Sequence, residues 1–333
     1  MIDLALVWAG LLSVSVLLYV VLDGFDLGIG MLFPWLAVGD ERDRAMNSIA
    51  PIWDGNETWL VLGGGGLFAA FPLAYGVLMT AFYAPLIAML LGLVFRGVAF
   101  EFRWRDPAHR ALWDISFTAG SLLAAFCQGV ILGAFVQGIE IESRSYAGGW
   151  FDWLTPFSVL TGIAVSVGYA LLGAGWLIIK SDGRLRERAY QLAMPLATAI
   201  LALVAVVSLW TPVLSPDIAN RWFRWPNIAV LWPIPFVVTV FGGLLIFGLR
   251  KKIDLLPFCV TLGLFMLSYL GLTVSLFPYV VPRSLTLWQA AAPDSSLGFL
   301  LVGTSILLPM ILVYTAYAYW VFRGKLKVGE GYH

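Results

Sequence analysis

Residues 51–76 read PIWDGNETWLVLGGGGLFAAFPLAYG and place two carboxylates at the start of a long apolar run. Asp54 and Glu57 open this stretch, and no charged residue follows Glu57 before Arg96. A helix needs about 20 apolar residues to cross a hydrocarbon core of about 30 Å. The run is long enough for two crossings, so it predicts paired membrane helices with acidic groups at one end.

The rest of the chain is equally apolar. Hydrophobic residues make up 60% of its 333 residues and charged residues 12%, with a mean hydropathy of +0.88. Soluble domains carry about 45–50% apolar and about 25% charged residues. The composition therefore excludes a soluble domain and a disordered chain. The formal net charge of zero supplies no basic field, so we expect no nucleic-acid partner.

Apolar runs of this length predict an all-α, polytopic membrane helix bundle with nine transmembrane helices. They lie at 4–35, 53–75, 77–102, 112–138, 153–180, 189–211, 226–249, 255–279 and 296–322. No connection between them is long enough for a second domain, so residues 1–333 are expected to form one integral-membrane domain. A faint likeness between residues 13–24 and 164–175 leaves open two four-helix units plus one extra helix.

The basic residues predict the orientation of these spans. With the N-terminus periplasmic and the C-terminus cytoplasmic, fifteen of the twenty Lys and Arg fall in cytoplasmic pieces and four in outer pieces. This asymmetry follows the positive-inside rule. The fifteen are Arg42, Arg44, Arg103, Arg105, Arg110, Lys180, Arg184, Arg186, Arg188, Arg250, Lys251, Lys252, Arg323, Lys325 and Lys327. The remaining one, Arg96, lies within the third span.

Ionisable residues inside spans are costly unless they are paired or hydrated, so each is a functional candidate. Six of them cluster in the first three spans: Asp23, Asp26, Asp54, Glu57, Arg96 and Glu101. Each of the first two acidic pairs is spaced by three residues and shares one helix face. We expect a proton-accepting cluster toward the cytoplasm, because closely spaced carboxylates in a poorly solvated site can relay protons.

Simpler structural roles for these charges stay open. Arg96 could neutralise one carboxylate while the others lie among headgroups. Asp54, beside Trp53, is also a plausible helix N-cap, and Asp23 with Gly24 could interrupt the first helix. The run Gly63–Gly66 lies mid-span and favours close helix packing by small residues.

No histidine lies within the predicted spans. The two histidines are His109, in a predicted loop, and His333, the last residue. Because b-type haem most often takes axial His ligands, this chain is not expected to hold a haem or another metal by itself. It also has no Walker motif and no nucleophile elbow, so catalysis wholly within the chain is not expected.

Several long stretches resemble one family, subunit II of the cytochrome bd-type quinol oxidases. The likeness is carried by NSIAPIWDGNETWLVLGGGGLFAAFPLAY at 47–75, DGFDLGIGM at 23–31 and FYAPLIAMLLGLVFRGVAFEFR at 82–103. It continues in PFSVLTGIAVSVGYALLGAGWL at 156–177, SLFPYVVPRSLTLWQAAAP at 275–293 and PMILVYTAYAYWVF at 309–322. The compact form is similar to the cyanide-insensitive branch of that family.

The resemblance implies a haem-free subunit of a respiratory oxidase in a bacterial inner membrane, which oxidises ubiquinol and reduces O2 to water. It implies a haem-bearing partner, subunit I, with haem b and d-type (or b-type) haems. It leaves open a small single-span accessory subunit and a structural quinone or lipid on this chain. A haem-free subunit beside a haem-bearing subunit I agrees with the absence of histidine from the predicted spans of this chain.

The family's proton path is carried over by position. Asp54 corresponds to its proton-path aspartate, Glu101 stands where many members have Asp, and Asp26 matches a further acidic position. Glu57 stands where some members have Gln, so its role is open. Asp23, Arg96 and Trp53 are candidate supporting residues around these carboxylates. Two other functions remain as alternatives on the residues alone: a secondary transporter or channel acting by itself, and a purely structural scaffold.

Overall fold

The computed structural model describes residues 3–214, 216–225 and 227–326. Lys327 and His333, on which the charge and histidine arguments partly rest, lie outside the described residues. Helices dominate the described chain, and apart from them it forms two short antiparallel hairpins and two 3-10 turns.

The helices follow in chain order. They are α1 (Leu4–Leu32), α2 (Asp40–Asn47), α3 (Trp53–Ala70), α4 (Pro72–Ala81), α5 (Tyr83–Arg105), α6 (Arg110–Gln137), α7 (Pro156–Lys180), α8 (Gly183–Leu214), α9 (Pro216–Phe223), α10 (Asn227–Leu231), α11 (Pro233–Lys251), α12 (Leu255–Leu276), α13 (Leu287–Ala290) and α14 (Asp294–Val321). The 3-10 turns are Phe33–Trp35 and Pro107–His109. The strands are β1 (Ile141–Glu142), β2 (Ser145–Tyr146), β3 (Tyr279–Val281) and β4 (Leu285–Thr286), paired β1 with β2 and β3 with β4.

Eight helices in the described ranges are long and apolar enough to cross a membrane. They are α1, α5, α6, α7, α8, α11, α12 and α14. The polytopic helical fold expected from the sequence is therefore confirmed. The predicted second span, 53–75, corresponds to α3 and the first residues of α4, and these two helices fall outside the set of eight.

A proline separates α3 from α4. Pro72 has no backbone N–H to continue the helix, and α3 ends at Ala70, before Phe71, whose φ of −133° is not helical. The carbonyl of Ala70, the last residue of α3, accepts a hydrogen bond from the backbone N–H of Ala292 at 2.9 Å. The predicted third span at 77–102 accordingly divides between the end of α4 and α5, which begins at Tyr83.

Helix α1 packs tightly on α7 at the centre of the bundle. A Cβ atom added to Gly28 would lie 1.9 Å from the carbonyl oxygen of Tyr169, and one added to Gly173 would lie 2.5 Å from the backbone of Gly28. Small residues permit this backbone approach, which drives helix association where no water is expelled. Beside the crossing, Phe25 stacks on Trp176 with ring centroids 4.3 Å apart.

The four-glycine run plays a smaller part in packing within this chain than the sequence suggests. A Cβ on Gly66 would lie 2.5 Å from the Leu12 side chain of α1, and one on Gly63 would touch Val16 at 3.6 Å. Added Cβ atoms on Gly64 and Gly65 would meet no described atom within 4 Å. Close packing is therefore confirmed for Gly63 and Gly66, whereas Gly64 and Gly65 face away from the described helices.

The two ends of the bundle differ in chemistry. We call residues 36–52, 103–110, 180–188, 250–254 and 322–326 the basic end, because Lys and Arg outnumber Asp and Glu there. There Lys180 donates to the carbonyl of Phe322 at 2.5 Å, and Lys325 pairs with Asp182 at 2.6 Å. We call residues 138–155 and 277–293, with Asp3, the hairpin end. There Trp288 donates to Asp3 at 2.7 Å and so ties the start of α1 to the second hairpin.

Candidate functional site

Four of the charged residues singled out in the sequence meet in one buried cluster, which we call the carboxylate cluster: Asp23, Asp26, Glu57 and Arg96. Asp23 and Asp26 lie on one face of α1, and the Arg96 guanidinium reaches them from α5. Its Nη1 donates to Asp23 at 2.8 Å and to Glu57 at 2.6 Å, while its Nη2 lies 3.9 Å from Asp26. The side chains of Asp23, Asp26 and Arg96 are fully buried, and that of Glu57 is 23% exposed.

Asn56 joins this cluster although the sequence reasoning did not select it. Its Nδ2 donates to Asp26 at 2.7 Å, and its Oδ1 accepts a hydrogen bond from the Tyr319 hydroxyl at 3.0 Å. A narrow crevice between the start of α3 and the end of α14 is lined by Asn56, Tyr319, Gly55 and Tyr314, among others. The C-terminal helix is thereby coupled to a buried carboxylate of the first helix.

A second chain of hydrogen bonds approaches the cluster from α6 and α7. Tyr169 donates to Oε1 of Gln128 at 2.8 Å, and Nε2 of Gln128 donates to the Tyr19 hydroxyl at 2.8 Å. Tyr19 in turn adjoins Asp23. These three residues were also missed, because Tyr and Gln carry no charge that would mark them within an apolar run.

Aromatic rings cover one side of the Arg96 guanidinium. Trp53 stacks on Phe100 with centroids 4.7 Å apart and an interplanar angle of 3°. The guanidinium carbon of Arg96 lies 5.9 Å from each of the two ring centroids, within cation–π range. Trp53, predicted as a supporting residue, thus forms part of the wall around the buried charges.

The two leading candidates for the proton path lie outside the buried cluster. Asp54 is exposed on the first turn of α3, one turn before Glu57 on the same helix. Glu101 is exposed near the end of α5 and pairs with Arg105 at 3.2 Å. The structure therefore does not bring Asp54, Glu101 and Asp26 into direct contact within this chain. It places Glu57 between exposed Asp54 and the buried residues.

Two simpler roles considered for these residues are not what the structure has. The N-cap of α3 is Ile52, without a side-chain cap, so Asp54 is not the cap. Helix α1 continues through Asp23 and Gly24 without interruption. Arg96 does neutralise charge, as one alternative suggested, but it contacts three carboxylates instead of one.

A second ionic cluster lies where α2, α5 and α6 meet, toward the basic end. The side chain of Arg103 is fully buried and donates through Nε to Asp114 at 2.5 Å and pairs through Nη1 with Asp43 at 2.9 Å. Arg42 also pairs with Asp114, at 2.8 Å, and Arg110 with Asp43. Each of the two aspartates pairs with two arginines from different helices, so this cluster is suited to fixing helix ends.

At the basic end, Asp254 lies outside the spans, in the loop between α11 and α12, and is held by donors from α8. It accepts hydrogen bonds from Arg186 Nη2 at 2.5 Å and from the Tyr190 hydroxyl at 2.8 Å. The hydrogen bond from Arg186 holds the pKa of Asp254 below its ordinary value, against the opposing effect of partial burial. Such a group stays ionised and serves the structure of the loop between α11 and α12.

The histidine and cysteine side chains among the described residues lie far apart in the sequence and on different elements. His109 lies in the 3-10 turn at the basic end, where it is exposed and bonds to Asp106 at 2.9 Å. Cys127 is buried and Cys259 is exposed, on different helices. Among residues 3–214, 216–225 and 227–326, no group of three or more His, Cys, Asp or Glu side chains could hold a metal ion.

Comparisons with known proteins match nearly the whole chain. A family model described as cytochrome bd terminal oxidase subunit II matches residues 4–322. The chain is 32% identical to cytochrome bd-I ubiquinol oxidase subunit 2 of Escherichia coli (strain K12), covering 97% of this chain and 95% of that protein. It is 30% identical to cytochrome bd ubiquinol oxidase subunit 2 of Bacillus subtilis (strain 168), covering 97% of each.

The fold is also similar to a chain of the bd oxidase from Geobacillus thermodenitrificans. The TM-score is 0.72 at 16% identity, covering 97% of this chain and 100% of that chain. At this identity the structural likeness shows the fold alone. The family model and the relatives at 30% identity or more carry the assignment. The chain therefore belongs to the family of cytochrome bd terminal oxidase subunit II and is a subunit of a quinol oxidase complex.

Proposed function

We propose that this chain is the haem-free subunit that supplies the cytoplasmic proton entrance of its oxidase. Reduction of O2 to water consumes protons, so the oxygen-reducing site needs a supply of them through the membrane. In this proposal Asp54, Glu101 and Asp26 serve the path, and Asp23, Glu57, Arg96 and Trp53 support it. Quinol oxidation and O2 reduction take place on the partner, subunit I.

The observation that carries the proposal is the continuity from a surface carboxylate to the buried carboxylates. Asp54 is exposed, Glu57 is partly exposed one turn later, and Asp23 and Asp26 are fully buried behind it. Ionisable groups at membrane depth usually mark ion or proton pathways. Since an exposed acidic side chain on a membrane helix is costly against lipid, we propose that subunit I covers the face that bears Asp54 and Glu101.

The proposed orientation rests on the two ends of the bundle. We propose nine crossings, with α3 and α4 together forming the second, the N-terminus periplasmic and the C-terminus cytoplasmic. Asp3 lies at the hairpin end, whereas residues 322–326 and most loop arginines and lysines lie at the basic end. An excess of Lys and Arg on the cytoplasmic side is the general rule. Asp54 and Glu101 then open toward the cytoplasm.

We further propose a single integral-membrane domain, built as two four-helix units plus one extra helix. The similar stretches 13–24 and 164–175 fall on α1 and α7, which cross closely at Gly28 and Gly173. Related helices that meet at the centre of a bundle are what an internal repeat would produce.

The haems are proposed to belong to subunit I, as haem b and d-type or b-type groups. Haem supplies electron transfer and oxygen chemistry there, and His109, the one histidine among the described residues, is exposed in the 3-10 turn before α6. A small single-span accessory subunit and a bound quinone or lipid are compatible with the outward-facing apolar helices. The bacterial origin of the relatives supports a location of the complex in the bacterial inner membrane.

The experiment is substitution of Asp54 by Asn and of Glu101 by Gln in the complex assembled with subunit I. We expect slower O2 reduction with a haem absorption spectrum like that of the wild type. The matched control is Glu142→Gln, which removes an exposed carboxylate at the hairpin end. Turnover equal to the wild type in both Asp54→Asn and Glu101→Gln would remove this entrance from the path.

A further inference from the structure

The carboxylate cluster carries more acidic groups than basic ones. Asp23, Asp26 and Glu57 stand against the single guanidinium of Arg96, and three of these four side chains have no exposed surface. Charges in such a place are retained only when they are paired or exchange with protons. An excess of carboxylates over guanidinium therefore favours at least one proton resident in the cluster.

Few neighbours of the buried aspartates can pass a proton to them. Arg96 contacts both, but an arginine does not release its proton in a protein. Asn56 donates to Asp26 through its amide, which has no titratable proton at neutral pH. Tyr19, beside Asp23, is itself buried and bonded to Gln128, away from the surface.

Glu57 combines two features that no other member of the cluster has together. Its Oε1 accepts from the same Arg96 nitrogen, Nη1, as Oδ1 of Asp23, so a single nitrogen bridges the two carboxylates. It is also partly exposed, one turn after exposed Asp54. The charged groups that act on it are Arg96, Asp23 and Asp54.

From this geometry we propose that Glu57 is the proton-exchange group that links the exposed Asp54 side of α3 to the buried Asp23 and Asp26. The inference rests on the proposed proton entrance and assigns the exchange step within it to one residue. A proton leaves a carboxyl or water on the Asp54 side and forms the O–H bond at Oε2 of Glu57, the oxygen not engaged by Arg96. Glu57 then releases that proton to a carboxylate oxygen of Asp23 or Asp26, and its own carboxylate is again neutralised by Arg96.

Arg96, Trp53 and Asn56 are positioning residues in this scheme. Arg96 fixes Glu57 and Asp23 on one nitrogen, Asn56 orients Asp26, and the stacked ring of Trp53 covers the guanidinium. Tyr319 holds Asn56 from α14.

The test is infrared absorption of carboxylic-acid C=O groups in the purified two-subunit complex, measured against pH without turnover. We expect a pH-dependent band in the wild type that shifts rapidly in D2O. It should be lost in Glu57→Gln, whose amide can still accept from Arg96. It should remain at a changed frequency in Glu57→Asp, and it should be unchanged in the control Glu142→Gln.

An unchanged band in Glu57→Gln would overturn the assignment. If that variant does not assemble, Glu57→Asp decides, because a band at the wild-type frequency there would equally overturn it. The turnover of Asp54→Asn is a separate measurement. If the turnover of Asp54→Asn is unchanged and the band is lost in Glu57→Gln, the proposed proton entrance is contradicted and this inference is not. If the turnover of Asp54→Asn is slowed and the band is unchanged in Glu57→Gln, this inference is contradicted and the proton entrance is not.

Discussion

Arg96 of α5 and Asp23 of α1 form an ion pair of 2.8 Å in which both side chains are fully buried, between residues 73 positions apart in the sequence. Burying two charges costs much of what their attraction returns, so such a pair adds little net stability. It does specify how α1 and α5 are placed. Removing one partner of the pair is strongly destabilising, because the other charge is then buried without compensation.

The first prediction concerns the removal of Arg96 from the carboxylate cluster. Arg96→Leu should destabilise the complex by about 3–5 kcal/mol, because it leaves buried carboxylates without their guanidinium. The measurement is the thermal unfolding midpoint of the detergent-purified complex. The control is Arg105→Leu on the same helix, whose side chain is 75% exposed in its pair with Glu101. Equal midpoints for the two variants would show that the buried pair is not structurally required.

The second prediction concerns the link between α14 and the cluster. Tyr319→Phe removes the hydroxyl that donates to Asn56, and it should lower stability by about 1 kcal/mol. Tyr317→Phe is the matched control on the same helix, because Tyr317 is 61% exposed. An exposed substitution of this kind should stay within about 0.5 kcal/mol of the wild type. Equal effects in the two variants would contradict the role given to the Tyr319 hydroxyl.

The third prediction tests the close crossing of α1 and α7. Gly28→Ala places a methyl group 1.9 Å from the Tyr169 carbonyl oxygen, so the helices must separate. Overpacking of this kind costs about 1–3 kcal/mol or more, which exceeds the gain of about 1 kcal/mol in helix propensity. Gly10→Ala, on the same helix, meets nothing within 4 Å and should be neutral or slightly stabilising. The yield and unfolding midpoint of the assembled complex report both effects, and equal values for the two variants would contradict the crossing.

The fourth prediction concerns pH at the basic end. Because the hydrogen bond from Arg186 lowers the pKa of Asp254, the stability it gives is present above the unfolded value of about 3.9. That stability is lost as the pH falls through the lower folded-state value. Asp254→Asn should therefore be less stable than the wild type above about pH 5, by no more than about 1 kcal/mol for so accessible a pair.

The difference between wild type and Asp254→Asn should shrink steadily on acidification, as measured by unfolding midpoints across the pH range. The matched control is Glu142→Gln, which removes an exposed carboxylate without an ion pair among the described residues. A stability difference between the wild type and Asp254→Asn that grows toward low pH would contradict the lowered pKa of Asp254.

Most helix positions could be predicted from the sequence because charged or polar residues bound the apolar runs. The predicted span 112–138 corresponds to α6 at Arg110–Gln137, and 255–279 to α12 at Leu255–Leu276. The prediction was less accurate at 53–102, where the chain forms three helices. Hydropathy does not register the break before Pro72, since the residues on both sides of it are apolar.

The site was predictable only as far as charge reveals it. The spacing of Asp23 with Asp26 and the presence of Arg96 within a span were enough to expect a cluster. Sequence spacing could not show that Arg96 would contact three carboxylates, or that Asp54 and Glu101 would stay on the surface. Asn56 lay within the motif quoted first but carries no charge. Tyr319 reaches it from a helix more than 260 residues later, which no local pattern could reveal.

The most direct test of the account is proton uptake by the reduced two-subunit complex after an O2 pulse, followed with a pH indicator beside the haem absorption. The account predicts that Asp54→Asn slows proton uptake while O2 binding keeps its wild-type rate. Glu142→Gln should match the wild type in both signals. Proton uptake in Asp54→Asn at the wild-type rate, with the complex intact, would contradict the claim that this chain supplies the proton entrance.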